Sequence, residues 1–98
     1  MSAYIVSTFT ITNGEEYSKY AELVVPTVLA YGGELLVADH DSDATEGDPE
    51  PVTIIIRFES KAAAHAWYES HDYSQVRHLR DESVEGTTVI VDGFVIPE

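Results

Sequence analysis

One short segment, VTIIIRF at residues 52–58, restricts the fold more than any other part of the chain. Its β-branched and aromatic residues predict a strand, and successive side chains of a strand point to opposite faces of a sheet. Ile54, Ile55 and Ile56 therefore place apolar side chains on both faces. A large aliphatic side chain left in water forgoes roughly 1.5–3 kcal/mol of burial energy. Both faces of this sheet must consequently be covered.

The hydrophobic periodicities elsewhere predict six further elements. In order, these are a strand at 3–11, a helix after the Asn13 cap, a strand at 34–39, a helix after the Ser60 cap, a helix that Asp72 caps and Gly86 ends, and a strand at 87–96. Two split βαβ units joined by a hairpin make a ferredoxin-like α+β sandwich, with helices on one face of a four-stranded antiparallel sheet. We expect residues 1–98 to form one such domain.

The helices of this sandwich cover only one face of the sheet, although the strand at 52–58 is apolar on both. A small domain with an uncovered apolar sheet face commonly buries it against another copy of itself. The sequence therefore predicts a homodimer through the open sheet face, which makes a dimeric α+β barrel.

The charge balance is strongly acidic, with 18 Asp and Glu against five Lys and Arg and a formal net charge of −13. Such a chain repels nucleic acid and anionic membrane surfaces, so neither is an expected partner. An acidic surface poor in lysine also suits a high-salt cytoplasm. A halophilic source and an ordinary acidic protein both remain open. Unfolding with and without molar KCl separates them, because a halophilic chain loses stability at low salt.

Segments that would direct the chain out of the cytoplasm are not evident. The longest apolar run is strand-sized, and the first ten residues, MSAYIVSTFT, carry no basic charge. These features predict a soluble cytoplasmic protein. The chain has no cysteine, which excludes thiolate nucleophiles, thiolate metal sites and disulfides. No cofactor is implied.

The strongest local pattern is FESKAAAHAWYESHDYSQVRHLR at 58–80, which contains a W-Y-x-S-x-x-Y motif followed by an arginine. With AYIV near the start and YGGELL at 31–36, this pattern resembles the domain-of-unknown-function 1330 family. That family belongs to the dimeric α+β barrel superfamily and is related in fold to cofactor-free monooxygenases of antibiotic biosynthesis. The resemblance implies the fold and the dimer, but no reaction. This chain departs from the family in having His71 where a proline is common, and in its long acidic loop.

The same segment supplies the first candidate site. His71 is the candidate catalytic base, because an imidazole titrates near neutral pH. Arg80 is the candidate anchor for a carboxylate or phosphate, which a guanidinium binds with two parallel hydrogen bonds. Trp67, Ser70 and Tyr73 complete the candidate ligand-binding set. The alternative is structural: a core tryptophan, a helix cap and an arginine that pairs with a neighbouring acid.

A second candidate ligand-binding residue is Arg57, which lies within an apolar strand. A buried guanidinium needs a partner, and Glu34 or Asp92 could supply it. A salt bridge at the dimer interface and an anion anchor inside the barrel both remain open.

The acidic loop at 39–50 carries carboxylates at EF-hand spacing, namely Asp39, Asp41, Asp43 and Glu50. Ala44 occupies the position where the calcium loop requires glycine, and predicted strands rather than helices flank the loop. We therefore interpret it as a solvated hairpin loop, whose cation binding calorimetry can test. The histidines are not spaced as ligands, so no metal site is predicted.

Function follows only in outline from these residues. The leading hypothesis is a dimeric protein of unassigned activity that binds a small organic molecule between sheet and helices. The alternatives are a cofactor-independent enzyme resembling a monooxygenase or an isomerase, and a purely structural homo-oligomer without catalysis.

Overall fold

The computed structural model describes residues 1–97, which form a four-stranded antiparallel sheet and three helices. Along the chain these are β1 (Ala3–Ile11), α1 (Gly14–Ala30), β2 (Glu34–Asp39), β3 (Val52–Phe58), α2 (Lys61–Tyr68), α3 (His71–Asp81) and β4 (Val84–Asp92). The strand order in the sheet is β2-β3-β1-β4. This arrangement is the ferredoxin-like α+β sandwich, and the fold prediction is confirmed.

The first two helices begin at the cap residues that the sequence indicates. The Asn13 side chain accepts a hydrogen bond from the Glu16 amide at 3.2 Å, which caps α1. Gly32 has a positive φ of 77° and follows the end of this helix. The Ser60 side chain caps α2 by accepting from the Ala63 amide at 3.1 Å. Local capping chemistry therefore sets the positions of α1 and α2.

The bounds of α3 and β4 differ from the prediction. Ser70, not Asp72, caps α3, and its Oγ accepts a hydrogen bond from the Tyr73 amide at 3.1 Å. Gly86 does not end that helix but lies inside β4, where a Cβ would meet the Thr8 carbonyl oxygen at 2.1 Å. A glycine is therefore required at this close approach between strands.

The end of β4 also differs, because the strand stops at Asp92 rather than continuing to residue 96. The Gly93 amide still donates to the Ser2 carbonyl at 2.7 Å, but β1 offers no further partner beyond that point. Phe94, with 85% of its surface exposed, and the two residues after it lie outside the sheet.

The two sheet faces differ in what covers them. On the helix side, Ile5, Phe9 and Ile56 are buried. The opposite face carries an aliphatic row across all four strands, since the register pairs Val37 with Ile55, Ile55 with Val6, and Val6 with Val89. None of these four side chains is buried in the single chain. This second surface is called the open face below.

Two further features of the fold concern membrane-spanning helices and the placement of the acidic side chains. Within residues 1–97, no helix combines the length and the apolar character needed to cross a bilayer. Acidic side chains lie on the surface: of those described, all are exposed except Glu16, which is half-buried.

Candidate functional site

A cavity of about 170 Å³ lies between α1, α2, α3 and the helix side of the sheet. Its walls are mainly apolar and come from every strand and helix. Val25, Leu29 and Leu35, which line it, are exposed, so the cavity opens to solvent between α1 and β2. Known ligand sites are concave and mostly apolar, with few polar groups. This cavity has that composition.

The charged end of the cavity is Arg80, in the last turn of α3. Its Nη2 donates to Ser7 Oγ at 3.0 Å and to Thr88 Oγ1 at 2.8 Å. Ser7 and Thr88 are cross-strand neighbours whose hydroxyls also hydrogen-bond each other at 2.8 Å. The guanidinium also lies 5.7 Å from the centre of the Phe9 ring. A row of hydroxyls in the sheet thus positions the arginine in an otherwise apolar wall.

Two phenols form the second polar feature of the cavity. The hydroxyls of Tyr20, on α1, and Tyr73, on α3, are 3.1 Å apart and hydrogen-bond each other. Burial, reinforced by the neighbouring Tyr73, raises the pKa of Tyr20 far above its ordinary value. Burial also raises the pKa of Tyr73 and of Tyr17, although the positive charge of Arg80 opposes the increase. These phenols therefore remain neutral and able to donate at physiological pH.

Aromatic rings join the phenol pair to the protein core. The centre of the Tyr73 ring lies 4.2 Å from that of Trp67, which in turn lies 5.8 Å from that of Phe58. Trp67 is 2% exposed, and its indole Nε1 donates to Thr27 Oγ1 at 3.0 Å. Such contacts between rings favour tilted and edge-on geometries. This side of the cavity is consequently well packed.

We expect the free energy of unfolding to fall as the pH rises above about 10, the ordinary pKa of tyrosine. The pKa of Tyr20 is higher in the folded than in the unfolded chain. Its contribution is therefore fully present below pH 10, and is lost above it as the unfolded phenol ionises first. Urea unfolding from pH 7 to pH 11 measures the decline, which should be shallower in Tyr20→Phe. Equal slopes in the two proteins would contradict this prediction.

Three predicted ligand-binding residues come together in the cavity: Trp67, Tyr73 and Arg80 all line it. Ser70 does not line it. It is buried beside the cavity, where it caps α3 and donates to the Trp67 carbonyl at 2.7 Å. Its position fixes the break between α2 and α3, and so the place of Tyr73.

The other two candidates lie away from the cavity. His71 is exposed at the first position of α3, where its Nε2 is 3.4 Å from Gln75 Nε2. Arg57 lies on the open face, and its Nη1 donates to Glu34 Oε1 at 2.7 Å. Glu34 is one of the two partners expected for this arginine. The structure therefore brings neither His71 nor Arg57 to the groups gathered around Arg80.

His40 is a cavity residue that the sequence analysis did not select. It follows β2, and its ring meets Tyr17 edge-on with centroids 5.9 Å apart. Tyr20 is a second such residue, and its partner Tyr73 lies on another helix. Helical spacing places Tyr17 and Tyr20 on one face of α1, but only the tertiary fold shows that this face borders a cavity.

The acidic loop connects β2 to β3 as a hairpin, as interpreted from the sequence. Two of its carboxylates accept hydrogen bonds from protein groups: the Asp41 amide donates to Asp39 Oδ1, and Thr10 Oγ1 donates to Glu50. In the part of the chain that the structure describes, no group of three or more His, Cys, Asp or Glu side chains could hold a metal ion.

Comparison with known protein families now identifies the relatives of this chain. The profile of the family described as domain of unknown function DUF1330 matches residues 2–94. The chain belongs to the DUF1330 family. The resemblance seen in the W-Y-x-S-x-x-Y motif is thereby confirmed. Among curated proteins, no match is found.

Solved structures show the same fold as this DUF1330 protein at low sequence identity. The RPA0582 protein of unknown function from Rhodopseudomonas palustris superposes with a TM-score of 0.80, at 13% identity over 97% of this chain and 84% of that one. SnoaB, a cofactor-independent oxygenase from Streptomyces nogalater, gives 0.60 at 11% identity over 99% and 98%. A dabb family protein with a ferredoxin-like fold from Mesorhizobium loti gives 0.60 at 14% over 98% of each chain. These likenesses establish the fold alone.

Proposed function

We propose that this DUF1330 protein binds a small organic molecule in the cavity between its sheet and its helices. The observation that carries the proposal is an open, mostly apolar cavity in which a guanidinium and a pair of protonated phenols supply the polar groups. In the proposed site Trp67 and Tyr73 form the apolar wall, and Arg80 orients the ligand. Polar groups that are few and well placed give such sites their specificity.

The rival hypothesis, a structural oligomer without a ligand, would be favoured by an exposed His71 or by a cavity filled with side chains. His71 is exposed, which favours the rival over catalysis, whereas the space that the helix-side rings leave next to Arg80 supports binding over a purely structural role. The enzymatic alternative predicted a general base at His71. Because that residue is exposed and does not line the cavity, binding without an assigned reaction is the better-supported function.

We further propose that two copies associate through the open face. The aliphatic row Val37–Ile55–Val6–Val89 spans the sheet, and 50% of the Val89 surface is exposed in the single chain. In a two-fold dimer the same row of each copy would cover the other, because such interfaces are self-complementary. The ion pair of Arg57 with Glu34 borders this row and would lie at the edge of the interface.

A cavity-filling substitution tests the binding proposal. Ala21 lies in the cavity wall on α1 and is half-buried, so Ala21→Phe would place a ring in the space assigned to the ligand. A thermal-shift screen of metabolites, followed by calorimetry on the hits, is expected to find ligands of the native protein. Their affinity should fall at least about tenfold in the variant, since overfilled sites exclude ligand without abolishing the fold.

The matched control is Ala62→Phe, the same change at an exposed position of α2 that does not line the cavity. Its affinity for the same hits should equal that of the native protein. Unchanged binding in Ala21→Phe would place the ligand elsewhere and refute the proposed site.

We also propose that the protein works in the cytoplasm, and that this cytoplasm is rich in salt. The acidic composition supports both proposals. The KCl dependence of unfolding described above tests the second.

A further inference from the structure

Among the Lys and Arg side chains, Arg80 alone lacks an acidic partner within residues 1–97. The chain has five Lys and Arg. Within residues 1–97, four ion pairs use the other four: Lys19 with Glu16, Arg57 with Glu34, Lys61 with Asp92, and Arg77 with Asp81. Arg80 instead donates to the neutral hydroxyls of Ser7 and Thr88. In so acidic a chain, its isolation from every acid of residues 1–97 calls for a physical reason.

The cavity around Arg80 is free of acids. Among its lining residues there is no Asp or Glu, and Arg80 is the one Lys or Arg. The nearby phenols of Tyr17, Tyr20 and Tyr73 remain neutral, so they do not offset the guanidinium charge. A partly buried cation without a counter-ion is unfavourable, because two neutral hydroxyls replace only part of the hydration that burial removes. The site therefore has an unmatched positive charge inside a protein whose surface is strongly negative.

Part of the guanidinium remains available for a ligand. Both hydrogen bonds to the sheet hydroxyls come from Nη2, and no acceptor within residues 1–97 takes the protons on Nε and Nη1. No fully buried side-chain nitrogen or oxygen of the described residues lacks a partner. The Nε and Nη1 atoms are therefore at least partly accessible. Because Nη2 already donates twice, either of these atoms can offer a carboxylate a single charge-assisted hydrogen bond.

The size of the cavity limits the rest of the ligand. Its volume is about 170 Å³. An apolar cavity of roughly 150 Å³ in another protein accommodates benzene. One ring therefore fits here between Trp67, Tyr73 and the α1 side of the wall, with its charged group toward Arg80.

We infer that the ligand is an organic monoanion with a single-ring apolar body, whose carboxylate pairs with Arg80. This inference rests on the proposed function, because it names the class of molecule that the same cavity takes. The hydroxyls of Ser7 and Thr88 hold the guanidinium in place, so the anion meets a fixed positive charge rather than a flexible side chain. Charge-assisted hydrogen bonds to such a site are stronger than neutral ones.

The test compares three probes of one shape, namely benzoate, benzamide and benzylamine. Binding is followed by amide chemical shifts of the full chain at fixed ionic strength. Benzoate is expected to bind about ten- to a hundredfold more tightly than benzamide, and benzylamine most weakly. The largest shifts should occur at Ser7 and Thr88.

Variants at two arginines of the same helix locate the preference. Arg80→Gln should reduce benzoate affinity to about that of benzamide. The control Arg77→Gln removes the same charge from an exposed position outside the cavity wall, and should leave the preference intact. Arg80→Lys keeps the charge but loses the planar group that Ser7 and Thr88 position, so it should retain part of the preference. It also tests the inference if Arg80→Gln does not fold.

The outcomes separate the inference from the proposed function. Equal binding of benzoate and benzamide to the native protein would refute the anionic class while leaving a ligand-binding cavity. A benzoate preference that survives in Arg80→Gln would refute the role of this arginine. If none of the three probes binds at millimolar concentration, both the inference and the binding cavity are rejected for single-ring ligands.

Discussion

Replacing Trp67 by alanine is expected to destabilise the folded chain by about 3–5 kcal/mol. Trp67 is 2% exposed and contacts both Phe58 and Tyr73, so its removal leaves a void that the surrounding rings cannot fill. It also removes the donor to Thr27 Oγ1. Domains of this size have a total stability of about 5–15 kcal/mol, so the loss is a large part of it. Urea unfolding at one fixed protein concentration measures the change.

The control for this substitution is Phe94→Ala, which removes an aromatic ring that is 85% exposed. Surface substitutions of this kind usually change stability by less than about 0.5 kcal/mol. Trp67→Phe should fall between the two, because it keeps a ring in the core but loses the indole donor. A loss below about 1 kcal/mol in Trp67→Ala would show that the cavity wall is loosely packed and contradict the arrangement described here.

The position of Trp67 in the core was predictable from the sequence, and so was most of the fold. Period-two alternation and cap residues such as Asn13 and Ser60 are local signals, and the structure confirms the elements they indicate. The bounds of β4 were not predictable in this way. Gly86 has the properties of a helix terminator, and only its neighbour Thr8 on β1 shows why a strand needs glycine there. That contact joins residues far apart in the chain.

The candidate site was only partly predictable for a related reason. Trp67, Tyr73 and Arg80 belong to one short segment of the sequence, 58–80, so their closeness along the chain indicated a shared site. His71 belongs to the same stretch, but the cap at Ser70 makes it the first residue of α3 and leaves it exposed. Sequence spacing gives the direction of a side chain only once the start of its helix is known. The hydrogen bonds from Arg80 to Ser7 and Thr88 join residues far apart in the chain, so no local pattern indicates them.

Val89→Lys is expected to raise the dissociation constant of the proposed homodimer by at least about a hundredfold. Val89 ends the aliphatic row of the open face, next to Val6 in the register. In a two-fold dimer the substitution occurs twice, and each ammonium group buried without a partner is unfavourable by several kcal/mol. Sedimentation equilibrium over a range of concentrations measures the association, and circular dichroism checks that the fold is retained.

Leu23→Lys is the matched control, because Leu23 and Val89 are each 50% exposed and both changes add one positive charge. Leu23 lies on α1, away from the open face. At a net charge of −13, one added lysine weakens the repulsion between copies, so long-range electrostatics favours association of both variants. Weaker association of Val89→Lys alone must therefore come from desolvation at the open face. Equal association of the two variants, or a native chain that is monomeric at micromolar concentration, would exclude the sheet-to-sheet dimer.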